Sequence, residues 1–163
     1  MAKTRRTRAY ENTTIAVSKS REQIDSILRK WGVNGISWQD EFDLGRAQLR
    51  FKWERDDGTE LVARFRVDLP TDEELRETAI DKRNGQFSEK KLERAKADLG
   101  KREHRVLLNL LKNMFEAIEA GIMPAEALLL PWIEDVNGET VYEKVEPKMS
   151  QLAQKPLHKA LTS

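Results

Sequence analysis

Ala47-Gln48-Leu49-Arg50-Phe51-Lys52-Trp53-Glu54-Arg55-Asp56-Asp57-Gly58-Thr59-Glu60-Leu61-Val62-Ala63-Arg64-Phe65-Arg66-Val67-Asp68-Leu69 is the stretch that decides the fold. Its odd positions are apolar from Ala47 to Trp53 and again from Leu61 to Leu69, while Gln48, Arg50, Lys52 and Glu54, then Arg64, Arg66 and Asp68, fall between them. A period of two means two strands, each with one buried and one wet face. Both bury odd positions, so odd must face odd. A three-residue loop, Asp56-Asp57-Gly58, with Gly58 taking the left-handed conformation, achieves this. It pairs Trp53 with Leu61, Phe51 with Ala63 and Leu49 with Phe65. A two-residue loop would set Phe51 against Arg64. On the wet face the accepted register opposes Arg50 to Arg64, with Lys52 and Arg66 nearby. Directly opposed like charges destabilise a sheet unless an anion shares the site. That anion is either internal (Glu54, Asp68 or a carboxylate from another element) or an external phosphate or acidic partner.

Upstream, Ser20 with Gln23 fits a capping box, and Ile24, Ile27, Leu28 and Trp31 share one helical stripe. Gly32 suits a left-handed helix end, so a helix is expected over about 20–31. The β-branched run Thr13 to Val17 reads as a strand before it, and Val33 to Gln39 as a strand after it. Downstream, Thr71 with Glu74 opens a short acidic helix. Ser88 caps a long pattern whose Leu92, Ala95, Leu99, Val106, Leu110, Met114 and Ala117 form one stripe, ended by Gly121. Gly100 is a point where that helix could kink. Pro124 starts another short helix, Asn137-Gly138 marks a turn, and Thr140 with Glu143 caps a last helix that Pro147 makes irregular. The expected architecture is therefore α+β: a β-α-β-β-β antiparallel sheet with helices on one face, then a long helix and a short helical C-terminal part. Trp31, Trp38, Trp53 and Phe65 are assigned to the core. The expected organisation is a basic flexible arm at 1–12, a single domain at 13–153 and a flexible tail at 154–163.

Composition narrows the chemistry. The 163 residues include no cysteine and two histidines, His104 and His158, which leaves out disulfides, thiolate metal sites and cysteine nucleophiles. No phosphate loop, nucleophile elbow or zincin motif is present. The acids Asp40, Glu41 and Asp43 lack the spacing of a calcium loop and read as solvated, and His104 reads as a partly exposed surface residue. No catalytic residue, metal or cofactor is expected. No apolar run is long enough to span a bilayer, and the first residues lack the apolar core of a signal peptide, so a soluble, cytoplasmic chain is expected.

Charge is balanced in total, 29 basic against 28 acidic residues, but segregated along the chain. Residues 81–105 carry a net +4 and residues 113–146 a net −7. The arm adds Arg5, Arg6 and Arg8. Lys90, Arg94, Lys101 and Arg105 fall within a sector of about 60° on the long helix, and Lys112 extends the line to about 33 Å at the helical rise. Such a ridge is either a solvated face or a track for phosphates.

Ser20 to Gly32 with the strands after it, then Arg105 to Ile122 and Asn137 to Val141, resemble a family of small proteins encoded by bacteriophages and prophages. The resemblance covers about 20–145 and is loose in the middle. It implies a phage setting, hence the host cytoplasm, and assigns no activity and no site residue. Helix, three antiparallel strands and helix is also the order of the double-stranded-RNA-binding domain, and Lys90 to Lys96 resembles the lysine-rich start of that domain's second helix. Here the expected extra strand comes first.

The leading expectation is a non-enzymatic binding module for nucleic acid. It would use Arg50, Lys52, Arg64 and Arg66 on the sheet, Lys90, Arg94, Lys101 and Arg105 on the helix, and Arg5, Arg6 and Arg8 in the arm. The alternative is a protein-binding module, an inhibitor of a host factor or an oligomerising phage component, that uses Leu130, Trp132 and Ile133 in the acidic, Leu-rich C-terminal third. A further alternative makes the Arg50/Arg64 pair a pocket for a small anionic nucleotide.

Overall fold

A computed structural model describes residues 10, 13–41, 44–69, 71–81 and 83–152. The arm with Arg5, Arg6 and Arg8, the acid Asp43, His158 and the tail from 154 lie outside the described residues. The order is α1 (Val17–Lys30), β1 (Gly35–Glu41), β2 (Arg46–Glu54), β3 (Glu60–Asp68), a short α2 (Asp72–Leu75), a long α3 (Glu89–Glu119), then α4 (Ala125–Leu129), α5 (Val141–Val145) and α6 (Met149–Leu152). Short 3-10 turns follow α2, α4 and α5. The strands form one antiparallel sheet in the order β1-β2-β3. The fold is α+β, an N-terminal helix, a three-stranded sheet, a long helix and short C-terminal helices.

The register follows from the side-chain pattern. Trp53 pairs with Leu61, Phe51 with Ala63, Leu49 with Phe65 and Arg50 with Arg64. Arg55 N–H donates to Thr59 O at 3.0 Å, which closes the three-residue loop with Gly58 at φ 80°. Ala47, Leu49, Phe51, Ala63, Phe65 and Val67, odd residues of β2 and β3, join Ile24 and Leu28 of α1 and Leu107, Leu108, Leu111 and Phe115 of α3 in the main core. Phe65 is buried, whereas Trp31, Trp38 and Trp53 are half-buried at its margin.

Four expectations change. Thr13–Ala16 forms no strand, and Val17 begins α1. β-branched residues favour a strand only where a neighbouring edge receives them; here the segment leads into the helix, with Ala16 extended at the N-cap. Ser20 is not a cap, because the helix starts a turn earlier. It lies fully buried, and its Oγ has no protein partner among the described residues. β1 runs Gly35–Glu41, two residues later than expected.

The fourth change concerns α3. It is continuous through Gly100 for 31 residues, but it does not bury a single stripe. Its first half sets Leu92, with Ala95 and Leu99, against Leu75 and Ala79 in a small separate core. Its second half buries Leu107, Leu108, Leu111, Met114 and Phe115 against α1 and the sheet, leaving Leu110 exposed and Val106 half-buried. The buried face thus turns by roughly a third of the helix circumference, at 100° per residue, because the helix changes partners midway. The local signals hold: Thr71 with Glu74 and Thr140 with Glu143 form capping boxes, and Ser88 accepts from Lys91 N–H. Gly32 and Gly121 end α1 and α3 at φ 77° and 68°. At α3 the Ile122 N–H returns to Ala117 O, at 3.0 Å, which satisfies a terminal carbonyl.

Candidate functional site

The opposed arginines on the outer face of the sheet share an internal anion. Ile133 forms an antiparallel bridge with Ala63, and Glu134 N–H donates to Val62 O at 2.8 Å, so this segment lines the free edge of β3. Residues paired across strands share a face, which places the Glu134 side chain with Val62 and Arg64. One oxygen, Glu134 Oε1, accepts from Arg50 Nε at 3.1 Å and lies 3.0 Å from Arg64 Nε. Arg64 Nη2 also donates to Glu143 at 2.5 Å. The carboxylate of Glu143 is held below its ordinary pKa range first by the Thr140 backbone N–H, then by the Thr140 hydroxyl and Arg64, against the opposing effect of burial. The Glu134 and Arg64 side chains are only 10% and 13% exposed, whereas Arg50 and Glu143 at the margin of the cluster are 41% and 39% exposed. Of the rest of this face, Lys52 meets Glu60 at 3.6 Å and Arg66 meets Asp68 at 3.0 Å. Glu134 thus occupies the space between the two arginines.

The expected protein interface is largely turned inward. Trp132 stacks on Phe65 at 4.8 Å between ring centroids, and Phe65 on Phe51 at 5.9 Å. Ile133 is half-buried at its bridge to β3, and Leu130 alone of the three is exposed. Their apolar character serves the attachment of the C-terminal segment to the sheet.

The ridge on α3 has fewer internal partners. Lys90 is exposed, and among the described residues it meets no carboxylate. Arg94, 85% exposed, and Lys101 share a single acid, Asp98, at 4.0 and 3.1 Å. Arg105 donates to the neutral Gln23 of α1 at 2.6 Å, and Lys112 lies 3.7 Å from Glu116. The continuous helix places these five cations on one line.

A third arrangement has no signature in the sequence. A cleft of about 830 Å³ opens where α1, the β1–β2 connection and α3 meet, lined by Arg21, Asp40, Arg46, Lys96, Gly100 and His104 among others. His104 is buried, 2% exposed, and not a surface residue. The alternation of faces along α3 turns it inward, below Gly100. Its Nδ1 lies 2.8 Å from Gly100 O, and its Nε2 accepts from Arg21 Nε at 3.1 Å. The two terminal nitrogens of Arg21 donate to Asp40 at 3.0 and 2.5 Å, and its guanidinium lies 4.6 Å over the Trp38 ring. Burial holds the His104 imidazole below its ordinary pKa, and Arg21 adds to this, while the bond to Gly100 and the charge of Asp40 oppose it. The hydrogen bonds from Arg21 hold the Asp40 carboxyl below its own range. Glu41 pairs with Arg46, so both described acids of the 40–43 cluster are in ion pairs.

Among the described residues no group of three His, Asp or Glu side chains is placed to hold a metal ion, and no helix is long and apolar enough to cross a membrane. Comparison of the chain with protein-family models, with curated proteins and with solved structures returns no match.

Proposed function

We propose that the chain is a non-enzymatic binding module that grips the phosphate backbone of a nucleic-acid duplex along α3, in the phage setting its sequence resemblance implies. One observation carries this reading: Lys90, Arg94, Lys101, Arg105 and Lys112 line one face of a continuous helix, and among the described residues only the acids Asp98 and Glu116 lie against them. The sheet arginines are not part of the proposed contact, because Glu134 and Glu143 already neutralise them. Arg5, Arg6 and Arg8 would extend the same charge.

A duplex fits better than a single strand. Sequence-tolerant binding of single strands uses exposed aromatic platforms, and Trp31 and Trp38 are spent on Phe115 and Arg21. A rigid rod with charge but no stacking surface suits a stiff, regularly charged backbone. Element order adds support by analogy: helix, three antiparallel strands and a long helix is the order of the double-stranded-RNA-binding domain, although here α2 and a 3-10 turn intervene between β3 and α3.

Fluorescence anisotropy with duplex RNA, duplex DNA and single strands of equal length tests the proposal. About four to five phosphate contacts predict a log–log salt slope of about −4 on duplex DNA, with duplexes bound more tightly than single strands. No binding at low salt, or an affinity that does not respond to salt, would refute it.

A further inference from the structure

His104 is the one buried histidine of the described chain, and both of its ring nitrogens are committed. A carbonyl oxygen can only accept, so the 2.8 Å contact with Gly100 O requires the proton on Nδ1. Arginine can only donate, so the 3.1 Å contact from Arg21 Nε requires a bare Nε2. The imidazole is therefore neutral in this arrangement, and a second proton has one place to go, the nitrogen already facing an arginine N–H. We propose that the Arg21–His104 contact is a pH-operated clasp, closed at neutral pH and released when Nε2 of His104 takes a proton from solvent.

The step is a simple exchange. The Nε2–H bond forms, the hydrogen bond from Arg21 Nε breaks, and two positive groups replace a cation and a neutral ring. The charges that face the ring decide whether this opens the junction or is absorbed. From α1 comes Arg21 alone. From β1 comes Asp40, held by two nitrogens of the same guanidinium. The other described charges of the cleft are in pairs of their own: Arg46 of β2 with Glu41, and Lys96 of α3 with both Asp72 of α2 at 2.5 Å and Glu93 of α3 at 3.2 Å. Asp25 of α1 is engaged by the Trp38 indole N–H at 3.0 Å. Among the described residues Asp40 is thus the anion in direct reach of the displaced groups, and it cannot keep Arg21 in its present pose once Nε2 carries a proton. The guanidinium also leaves its place over Trp38. What is released is a joint between three elements, because the Arg21 side chain contacts β1 and α3 together. Desolvation of the ring and the nearby guanidinium both place this event below the ordinary titration of histidine.

The clasp can be read in the full chain by nuclear magnetic resonance. A His158→Gln chain has His104 as its sole histidine, so its ring signals need no further assignment. They should titrate with a midpoint below the ordinary value of about 6.5. The Arg21 Nε–H and Trp38 indole signals should move with the same midpoint while the amide spectrum remains that of the folded chain. An Arg21→Gln substitution should raise the His104 midpoint. A His104 midpoint at or above the ordinary value, an Arg21 signal that stays in place as His104 titrates, or a change seen only with global unfolding would overturn the proposal. The titration needs no substitution at the clasp itself, so the proposal stays testable even if Arg21→Gln fails to fold.

Discussion

Two surfaces of this molecule carry rows of basic side chains, and they differ in what lies against them. On the outer face of the sheet, Arg50 and Arg64 converge on Glu134, and Glu143 adds a second carboxylate. On the outer ridge of α3, five cations share two acids. A count of charges along the chain treats both rows alike. The difference arises because the C-terminal segment attaches to the edge of β3 and brings acids over one row, while α1 reaches the other only at Arg105, and there with the neutral Gln23. Charge that a fold has already neutralised is costly to unpair and closed to a partner; charge left facing water is available to one.

The largest effect that would break this comparison is in the core that attaches the acidic segment. Phe65 lies between Phe51 and Trp132. Phe65→Ala should cost about 3–5 kcal/mol in a denaturant titration, and it should loosen the 130–143 segment along with the sheet. A loss below about 1 kcal/mol would mean that the stack is not formed. Removing the shared carboxylate comes next. Glu134→Gln should cost about 2–3 kcal/mol, because it leaves Arg64 largely buried with one anion fewer. A part of that loss should return when Arg50 is also changed to Gln. If Glu134→Gln melts like the parent, the outer-face arginines are not held from within.

Gly100→Ala sharpens the other side of the comparison. A methyl group there would meet Val17 and Leu69 at 3.9 and 4.0 Å, ordinary contact distances. The substitution should therefore stabilise the chain by up to about 1 kcal/mol, without altering the ridge or its salt-dependent binding. Destabilisation would show that α3 needs the bare backbone of Gly100 to pack against Val17 and Leu69. The smallest effect on stability belongs to the ridge. Arg94→Glu should stay within about 0.5 kcal/mol of the parent in melting experiments, yet weaken duplex binding and flatten the salt slope by about one. Acid should act on a local turn. Lys144 holds the Asp135 carboxyl down to about 2. Its contribution is present above the ordinary carboxylate range and is lost as pH falls toward that value. An Asp135→Asn chain should lack this component of acid unfolding when the two are compared by circular dichroism.

What could be read in advance divides by distance along the chain. The β2–β3 register was legible because a period of two and a loop of three residues leave one solution. The capping boxes at Thr71 and Thr140 were legible because both partners lie within one turn. Ser20 carried the same local signal and misled, because packing starts α1 a turn earlier and buries the hydroxyl. The second half of α3 misled for a related reason: Leu92 and Leu99 define a stripe that holds only while the helix faces residues 72–79. His104 was misplaced with that stripe. The basic ridge was visible as spacing. The partner of Arg50 was not, since no pattern links it to an acid 84 residues later.

That separation bears on how the molecule is made. The β2 and β3 residues leave the ribosome well before Glu134, so the nascent hairpin first exists with its two arginines opposed and their carboxylate still untranslated. At about 5–20 residues per second this lasts seconds. Hairpins form in microseconds, so the early sheet must tolerate its own repulsion or wait. The last third of the chain then acts as the step that completes the domain, and a chain released before Glu134 would carry a sheet whose Arg50–Arg64 pair lacks its carboxylate and whose β3 edge is open.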